Sequence, residues 1–196
     1  MSLDPPQGGK WSSDGFRFGI VCARYNESLT DALLAKVTTV IKDAGEPIRL
    51  AVERVPGSHE VPVAMSLMLK AESFDCLIGL GVVIKGNTSH HHLVAESAGQ
   101  AIQQLAMEQS TPTINGIIVT DSIEDAEARV TGSLDRGREF GEAALHMADL
   151  KRKWTKKTGY QSEYDCASPD PDIEPASRTK PPAPKAKGGG PRRKYP

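Results

Sequence analysis

The sequence predicts an α/β fold in which helices cover both faces of a small parallel sheet. Short apolar runs alternate with longer amphipathic stretches between residues 16 and 154. Two of the runs are continuously apolar, which is typical of strands covered on both faces. Strands that alternate with helices indicate βαβ units with right-handed crossovers, and therefore a three-layer α/β/α sandwich with a four-stranded parallel sheet.

The candidate strands are residues 18–22, 48–52, 76–80 and 114–119. Apolar side chains at helical spacing predict helices over residues 29–41, 60–70, 94–107, 123–130 and 140–150, and Gly45 closes the first of them. Asp121 is a candidate cap for the short helix, with Glu124 three residues later as its capping-box partner.

The charge distribution divides the chain. Residues 151–196 hold 12 Lys/Arg and 5 Asp/Glu, a net charge of +7, whereas residues 1–150 hold 12 and 20, a net charge of −8. Residues 155–196 contain one branched aliphatic residue, Ile173, and are rich in proline, which predicts a disordered basic tail. Residues 1–15 are expected to form a flexible leader, and residues 16–154 the folded domain.

Several classes of protein are disfavoured. Hydrophobic residues make up 38% of the chain, enough to bury a core. No apolar run approaches the ~20 residues of a membrane span, and residues 1–10 lack the apolar stretch of a signal peptide. Cys22, Cys76 and Cys166 are too few for a disulfide scaffold, so we expect a cytoplasmic protein.

Ligands of parallel sheets bind at the carboxyl ends of the strands, so the four loops that follow the strands are the candidate site. After the first strand, Asn26 or Ser28 can cap a helix, and Tyr25 can stack on a flat ligand. After the second, Ser58 can cap the next helix. Alternatively, the Ser-His-Glu run at 58–60 can bind a polar ligand through backbone N–H groups.

The third loop carries the most informative pattern. Residues 85–89 read Lys-Gly-Asn-Thr-Ser before a long helix, a combination of cation, hydroxyls and N–H groups that suits phosphate but lacks P-loop spacing. His90, His91 and His92 follow, and successive helical side chains point ~100° apart, which argues against a shared metal ion. One histidine beside a phosphate site is suited to proton transfer.

The fourth loop leads into a short helix that carries Arg129 near its end. An arginine at such a place is commonly a solvated surface residue. The alternative is a forked partner for phosphate, and spacing does not decide between the two.

Taken in order, the four loops resemble the 6,7-dimethyl-8-ribityllumazine synthase family. The matching segments are Ala-Arg-Tyr-Asn at 23–26, Val-Pro-Gly-Ser-His-Glu-Val-Pro at 55–62, Gly-Val-Val-Ile-Lys-Gly-Asn-Thr-Ser-His at 81–90 and Gly-Ile-Ile-Val-Thr-Asp-Ser-Ile-Glu-Asp-Ala-Glu-Ala-Arg at 116–129. The resemblance implies a flavodoxin-like fold and a transferase of riboflavin biosynthesis that needs no metal or organic cofactor. Its substrates are 5-amino-6-(D-ribitylamino)uracil and 3,4-dihydroxy-2-butanone 4-phosphate.

The resemblance also implies roles for individual residues. His90 matches the proton-transfer residue, and Asn87, Thr88 and Arg129 match the phosphate-binding positions. The positions that match contacts to the pyrimidine and its ribityl chain are Tyr25, Ser58, His59, Glu60, Val82, Val83, Ile84 and Asn115.

Some residues depart from the family pattern. His59 stands where an aromatic residue is usual, and Asn115 where Phe is common, near the pyrimidine of a neighbouring subunit. These changes lose apolar contact, so we expect them to affect substrate affinity more than chemistry, and a paralogue with altered substrate choice is one alternative. A non-catalytic flavin- or pterin-binding paralogue is another, although such a binder would need neither His90 nor Arg129.

The resemblance finally implies partners. The family forms pentamers, or sixty-subunit shells of pentamers, with active sites between subunits, and riboflavin synthase is a candidate partner. Apart from the resemblance, the basic cluster at 185–194 would have a salt-sensitive, sequence-independent affinity for nucleic acid. The acidic domain and the few aromatic residues of the tail argue against it, so we expect neither a nucleic-acid nor a membrane partner.

Overall fold

The computed structural model describes residues 9–86 and 89–158 of the chain. Its sheet contains four parallel strands in the order β2-β1-β3-β4. The strands are β1 (Arg17–Ala23), β2 (Arg49–Val55), β3 (Cys76–Ile84) and β4 (Thr113–Thr120). This order is the one found in flavodoxin-like sheets, in which the chain reverses its direction of winding between β1 and β3.

Five helices cover the sheet, and each overlaps its predicted position. They are α1 (Glu27–Asp43), α2 (Val61–Ala71), α3 (His90–Glu108), α4 (Ile123–Val130) and α5 (Arg136–Thr158), with a 3₁₀ turn (Ser58–Glu60) before α2. Helices α1, α4 and α5 pack on one face of the sheet, and α2 and α3 pack on the other. The predicted α/β/α sandwich is therefore confirmed.

The core has two halves, one on each side of the sheet. Ile20 and Ile78 face Leu33 of α1 in the first half, whereas Val21 and Leu77 face α2 and α3 in the second. All five side chains are fully buried. Strand β3 is buried from Cys76 to Val82, which explains its continuously apolar sequence.

Helix α5 is longer than the predicted 140–150 and includes residues 155–158, which the composition had assigned to the tail. Two charged residues anchor its carboxyl half. Lys151 Nζ donates to the backbone oxygen of Phe74 at 2.7 Å, and the Arg152 guanidinium lies 3.2 Å above the centre of the Phe16 ring. The remainder of the predicted tail, 159–196, lies outside the described residues.

Part of the predicted leader packs on the domain. The Trp11 ring stacks on His146 with centroids 4.6 Å apart, and the Ser13 N–H donates to the Ala44 oxygen at 3.1 Å. Asp14 Oδ1 accepts a hydrogen bond from the Glu46 N–H at 2.6 Å, which helps to hold the pKa of this carboxyl below its ordinary value. Residues 11–15 thus belong to the folded unit, and residues 1–8 lie outside the described part of the chain.

The start of α3 and the cap of α4 also differ from prediction. Helix α3 begins at His90 rather than at residue 94, so the histidine run occupies its first turn. Helix α4 is capped by Ser122, whose Oγ accepts from the Asp125 N–H, and not by Asp121. Asp121 instead pairs with Lys85 Nζ at 3.2 Å. Within the described ranges, no helix is both long enough and apolar enough to cross a membrane.

Candidate functional site

The first two loops meet at the carboxyl edge of the sheet. The Tyr25 N–H donates to the Pro56 oxygen at 3.3 Å, and a Cβ placed on Gly57 would lie 3.4 Å from Tyr25 Cδ2. The Tyr25 side chain is nevertheless 73% exposed. Its ring is therefore held at its edge beside the second loop and leaves most of its surface free to stack on a ligand.

Asn26 connects the first loop to β3. It precedes α1 in the left-handed conformation, with φ 57° and ψ 50°, and its side chain makes no capping bond. Instead Nδ2 donates to the backbone oxygen of Val82 at 2.9 Å. The predicted capping position was correct, but the partner of the side chain was not predicted.

Residues 82–84 belong to the end of β3 rather than to a loop. Strand β3 pairs with β4 as far as Ile84, but its pairing with β1 ends at Leu80. The backbone of Val82, Val83 and Ile84 therefore extends beyond β1 on the side where the sheet changes its winding direction. A flat ligand with hydrogen-bonding edges can lie there, where β1 no longer pairs with β3.

The Ser-His-Glu run forms the 3₁₀ turn beside this strand. Ser58 is buried at 4% exposure, and its hydroxyl lies so close to Gly81 that any Cβ at Gly81 would overlap it. Glu60 Oε2 accepts from the Gly57 N–H at 2.8 Å, while His59 is exposed. Gly81, which sequence reasoning missed, is thus the residue that lets Ser58 approach β3.

The third and fourth loops are also joined. The Lys85 N–H donates to the Thr120 oxygen at 2.9 Å, beside the ion pair of Lys85 with Asp121. The predicted phosphate-binding residues Asn87 and Thr88 lie outside the described residues. His90 follows them and is exposed on the first turn of α3.

The other two histidines of the run are arranged differently. His91 is buried, and its ring lies 4.0 Å from that of His92 between centroids. In the described part of the chain, no group of three or more His, Cys, Asp or Glu side chains is placed to hold a metal ion.

Arg129 and Asn115 have contacts elsewhere. Arg129 Nη1 donates to the Asp125 backbone oxygen at 2.8 Å, within α4. Asn115 is exposed on β4, where its Oδ1 accepts from the Ile117 N–H at 3.1 Å, and its Nδ2 faces Gly99 of α3. The structure thus gathers Tyr25, the 58–60 turn and the end of β3, and these contacts do not bring Arg129 or Asn115 to that group.

Two cysteines of the described residues are buried in the core. Burial raises the pKa of the Cys76 thiol strongly and that of Cys22 to a lesser extent, and the Arg54 guanidinium partly offsets the effect at Cys22. A thiol that keeps its proton is a poor nucleophile, so neither cysteine is suited to covalent catalysis.

The strand order and the polar groups at the carboxyl ends of β1, β2 and β3 define an α/β protein with a candidate ligand site at the point where the winding reverses. The family model described as 6,7-dimethyl-8-ribityllumazine synthase matches residues 15–152. The chain belongs to the 6,7-dimethyl-8-ribityllumazine synthase family.

Several relatives carry that same name, and three of them show the degree of similarity. The protein of Xylella fastidiosa (strain M12) is 38% identical over 141 residues, which is 71% of this chain and 92% of the relative. That of Polaromonas sp. (strain JS666 / ATCC BAA-500) is 38% identical over 136 residues, 69% of this chain and 86% of the relative. That of Aquifex aeolicus (strain VF5) is 34% identical over 144 residues, which is 72% of this chain and 94% of the relative.

Proposed function

We propose that this protein is a 6,7-dimethyl-8-ribityllumazine synthase, a transferase of riboflavin biosynthesis. It condenses 5-amino-6-(D-ribitylamino)uracil with 3,4-dihydroxy-2-butanone 4-phosphate and releases phosphate and water. The observation that carries the proposal is the convergence of Tyr25 and Ser58 with the part of β3 that extends beyond its pairing with β1, in a chain of this family.

The pyrimidine binds against this convergence. Tyr25 stacks on its plane, because an exposed ring fixed at one edge offers its face at little entropic cost. The backbone of residues 82–84 supplies donors and acceptors to the edge of the heterocycle, as it would to a strand. Ser58, His59 and Glu60 are polar groups of the same loop cluster and bind the hydroxyls of the ribityl chain.

The butanone phosphate binds next to the pyrimidine. Asn87 and Thr88 precede the first turn of α3, and N–H groups at the start of a long helix attract anions. Arg129 supplies a forked, permanently charged partner for the phosphate.

The chemistry needs proton transfers and no redox change. The amine of the pyrimidine attacks the ketone and forms an imine with loss of water, and phosphate then leaves by elimination. Tautomerisation of the resulting enol gives a second carbonyl, and the ribitylamino nitrogen adds to it and closes the ring with loss of a second water. His90 acts as the general acid and base, a role worth roughly 10²–10⁴-fold in rate. Much of the remaining acceleration comes from holding two substrates together.

The protein acts as a homo-oligomer, a pentamer or a shell of pentamers, with sites between subunits. Two observations support this. The outer sides of α2 and α3 carry Val63, Leu67 and Leu93, each more than half exposed, and apolar patches of this kind mark subunit contacts. The described contacts also leave Asn115 apart from Tyr25, as is expected if it serves a neighbouring copy. Riboflavin synthase, which would consume the product, is the candidate partner in the cytoplasm.

The test is an assay with both substrates that follows the fluorescence of the lumazine. We expect lumazine to form only when both are present. Purified protein that is yellow with a bound flavin or pterin, but forms no lumazine, would instead identify the binding paralogue. Light scattering distinguishes a pentamer, about five times the 21.1 kDa chain, from a shell.

A further inference from the structure

The described contacts of Arg129 lie within its own helix. Nη1 donates to the Asp125 backbone oxygen at 2.8 Å and lies 3.5 Å from the Asp125 carboxylate. A side chain that reaches the carbonyl four residues earlier is folded back toward the amino end of its helix. That end of α4 follows directly on β4, at the ligand edge of the sheet.

The Asp125 carboxylate is held from its other side as well. Ser122 Oγ donates to Asp125 Oδ2 at 3.1 Å and accepts from the Asp125 N–H at 3.1 Å. Thr120 Oγ1 donates to the Ser122 oxygen at 2.8 Å, and the Thr120 oxygen accepts from the Lys85 N–H. Neighbouring hydrogen bonds thus connect the start of the third loop with Arg129.

A guanidinium carries five N–H donors, and Asp125 engages those of Nη1. The donors on Nη2 and Nε form the second side of the fork, which suits a phosphate with two acceptor oxygens. We propose that Asp125 is a positioning residue, which fixes Nη1 so that Nη2 and Nε stay turned to the phosphate of the butanone substrate. The inference rests on the proposed role of Arg129 in phosphate binding.

A carboxylate near a phosphate also repels it, and this opposing effect needs a control. Glu127 lies two residues away on α4, carries the same charge and is exposed. Its described side-chain contacts do not include Arg129. Glu127→Gln therefore removes one negative charge from the same helix and leaves the Arg129 contact in place.

Steady-state kinetics of Asp125→Asn and Glu127→Gln test the proposal. We expect KM for the butanone phosphate to be about two- to five-fold higher in Asp125→Asn than in Glu127→Gln, the scale of a partly exposed ion pair. We expect kcat and KM for the pyrimidine to be the same in both. An equal or lower KM in Asp125→Asn overturns the proposal, and so does a general loss of activity together with a lower Tm.

Titration with inorganic phosphate, followed by ³¹P NMR, separates this proposal from the proposed function. If the wild type forms no lumazine but binds phosphate, weaker binding by Asp125→Asn than by Glu127→Gln supports the positioning role. Equal binding by the two variants overturns it. Absence of phosphate binding by the wild type overturns it as well.

Discussion

The side-chain amide of Asn26 donates a hydrogen bond to the backbone oxygen of Val82 at 2.9 Å. Asn26 holds a left-handed backbone conformation, which asparagine tolerates better than most residues. The bond joins the loop that carries Tyr25 to the part of β3 that has lost its partner β1. Asn26 therefore ties the loop of Tyr25 to the end of β3, the two sides of the proposed pyrimidine site.

Two substitutions of Asn26 separate the effect of its amide hydrogen bond from that of its left-handed backbone conformation. Asn26→Gly keeps the left-handed conformation and removes the amide, so we expect the free energy of unfolding to fall by about 1 kcal/mol. Asn26→Ala should lose about 1 kcal/mol more, because alanine resists this conformation. Urea unfolding measures both, and KM for the pyrimidine should rise in both variants. An Asn26→Gly variant with unchanged stability and KM would show that the bond to Val82 has no effect.

A methyl group at Gly81 should displace Ser58. A Cβ there would overlap the buried Ser58 hydroxyl, and overpacking of this kind costs about 1–3 kcal/mol. We expect Gly81→Ala to weaken pyrimidine binding and to lower Tm. The double variant Gly81→Ala/Ser58→Ala should recover part of the lost Tm, because the overlapping atom is gone. A double variant no more stable than Gly81→Ala alone would contradict the close approach.

His90→Ala should slow turnover without abolishing it. Loss of one proton-transfer group predicts a fall in kcat of roughly 10²–10⁴-fold, while both KM values change little. His92→Ala, an exposed neighbour on the same helical turn, is the matched control and should retain kcat. Equal kcat values for His90→Ala and the wild type would remove His90 from the mechanism.

Two truncations test which carboxyl-terminal residues are needed for stability and for activity. A chain ending at residue 158 keeps Lys151 and Arg152 and should retain both Tm and synthase activity. A chain ending at residue 150 loses the bond to the Phe74 oxygen and the cation–π contact with Phe16, so its Tm should fall. Differential scanning fluorimetry measures both. Loss of activity in the longer truncation would show that residues 159–196 take part in the reaction.

The free energy of unfolding should decline at alkaline pH because the thiols of Cys22 and Cys76 are buried. Burial raises the pKa of Cys76, so the folded protein keeps this proton at pH values where the unfolded chain loses it. The free energy of unfolding should therefore be unaffected by this group below the ordinary thiol pKa of about 8.5 and should fall as the pH rises above it. Unfolding curves between pH 7.5 and 10 should show a smaller decline for Cys76→Ala than for the wild type. Parallel declines would exclude this cause.

The fold could be predicted from the sequence because its signals are local. Apolar periodicity marked every strand and helix, and the continuous burial of β3 matches its apolar run. The end of α5 could not be predicted in this way. Lys151 and Arg152 resemble a solvated basic segment until the partners Phe74 and Phe16, distant in sequence, are brought beside them.

The candidate site also has a part that could be predicted from the sequence and a part that could not. The grouping of Tyr25 with the Ser58 loop follows from parallel topology, which brings the carboxyl ends of strands to one edge. The supporting contacts of Asn26 and Gly81 depend on how closely two backbone segments approach, and residue type alone does not indicate such distances. The ion pair of Lys85 with Asp121 is also a tertiary contact, and it gives the Asp121 carboxylate a partner away from the start of α4.

The most direct test of the account is the stoichiometry of the reaction. Purified protein is incubated with ribitylaminouracil and butanone phosphate, and lumazine fluorescence and inorganic phosphate are measured in the same sample. The account predicts equal amounts of lumazine and phosphate, with both falling in parallel in His90→Ala. Phosphate release without lumazine, or neither product at saturating substrates, would contradict it.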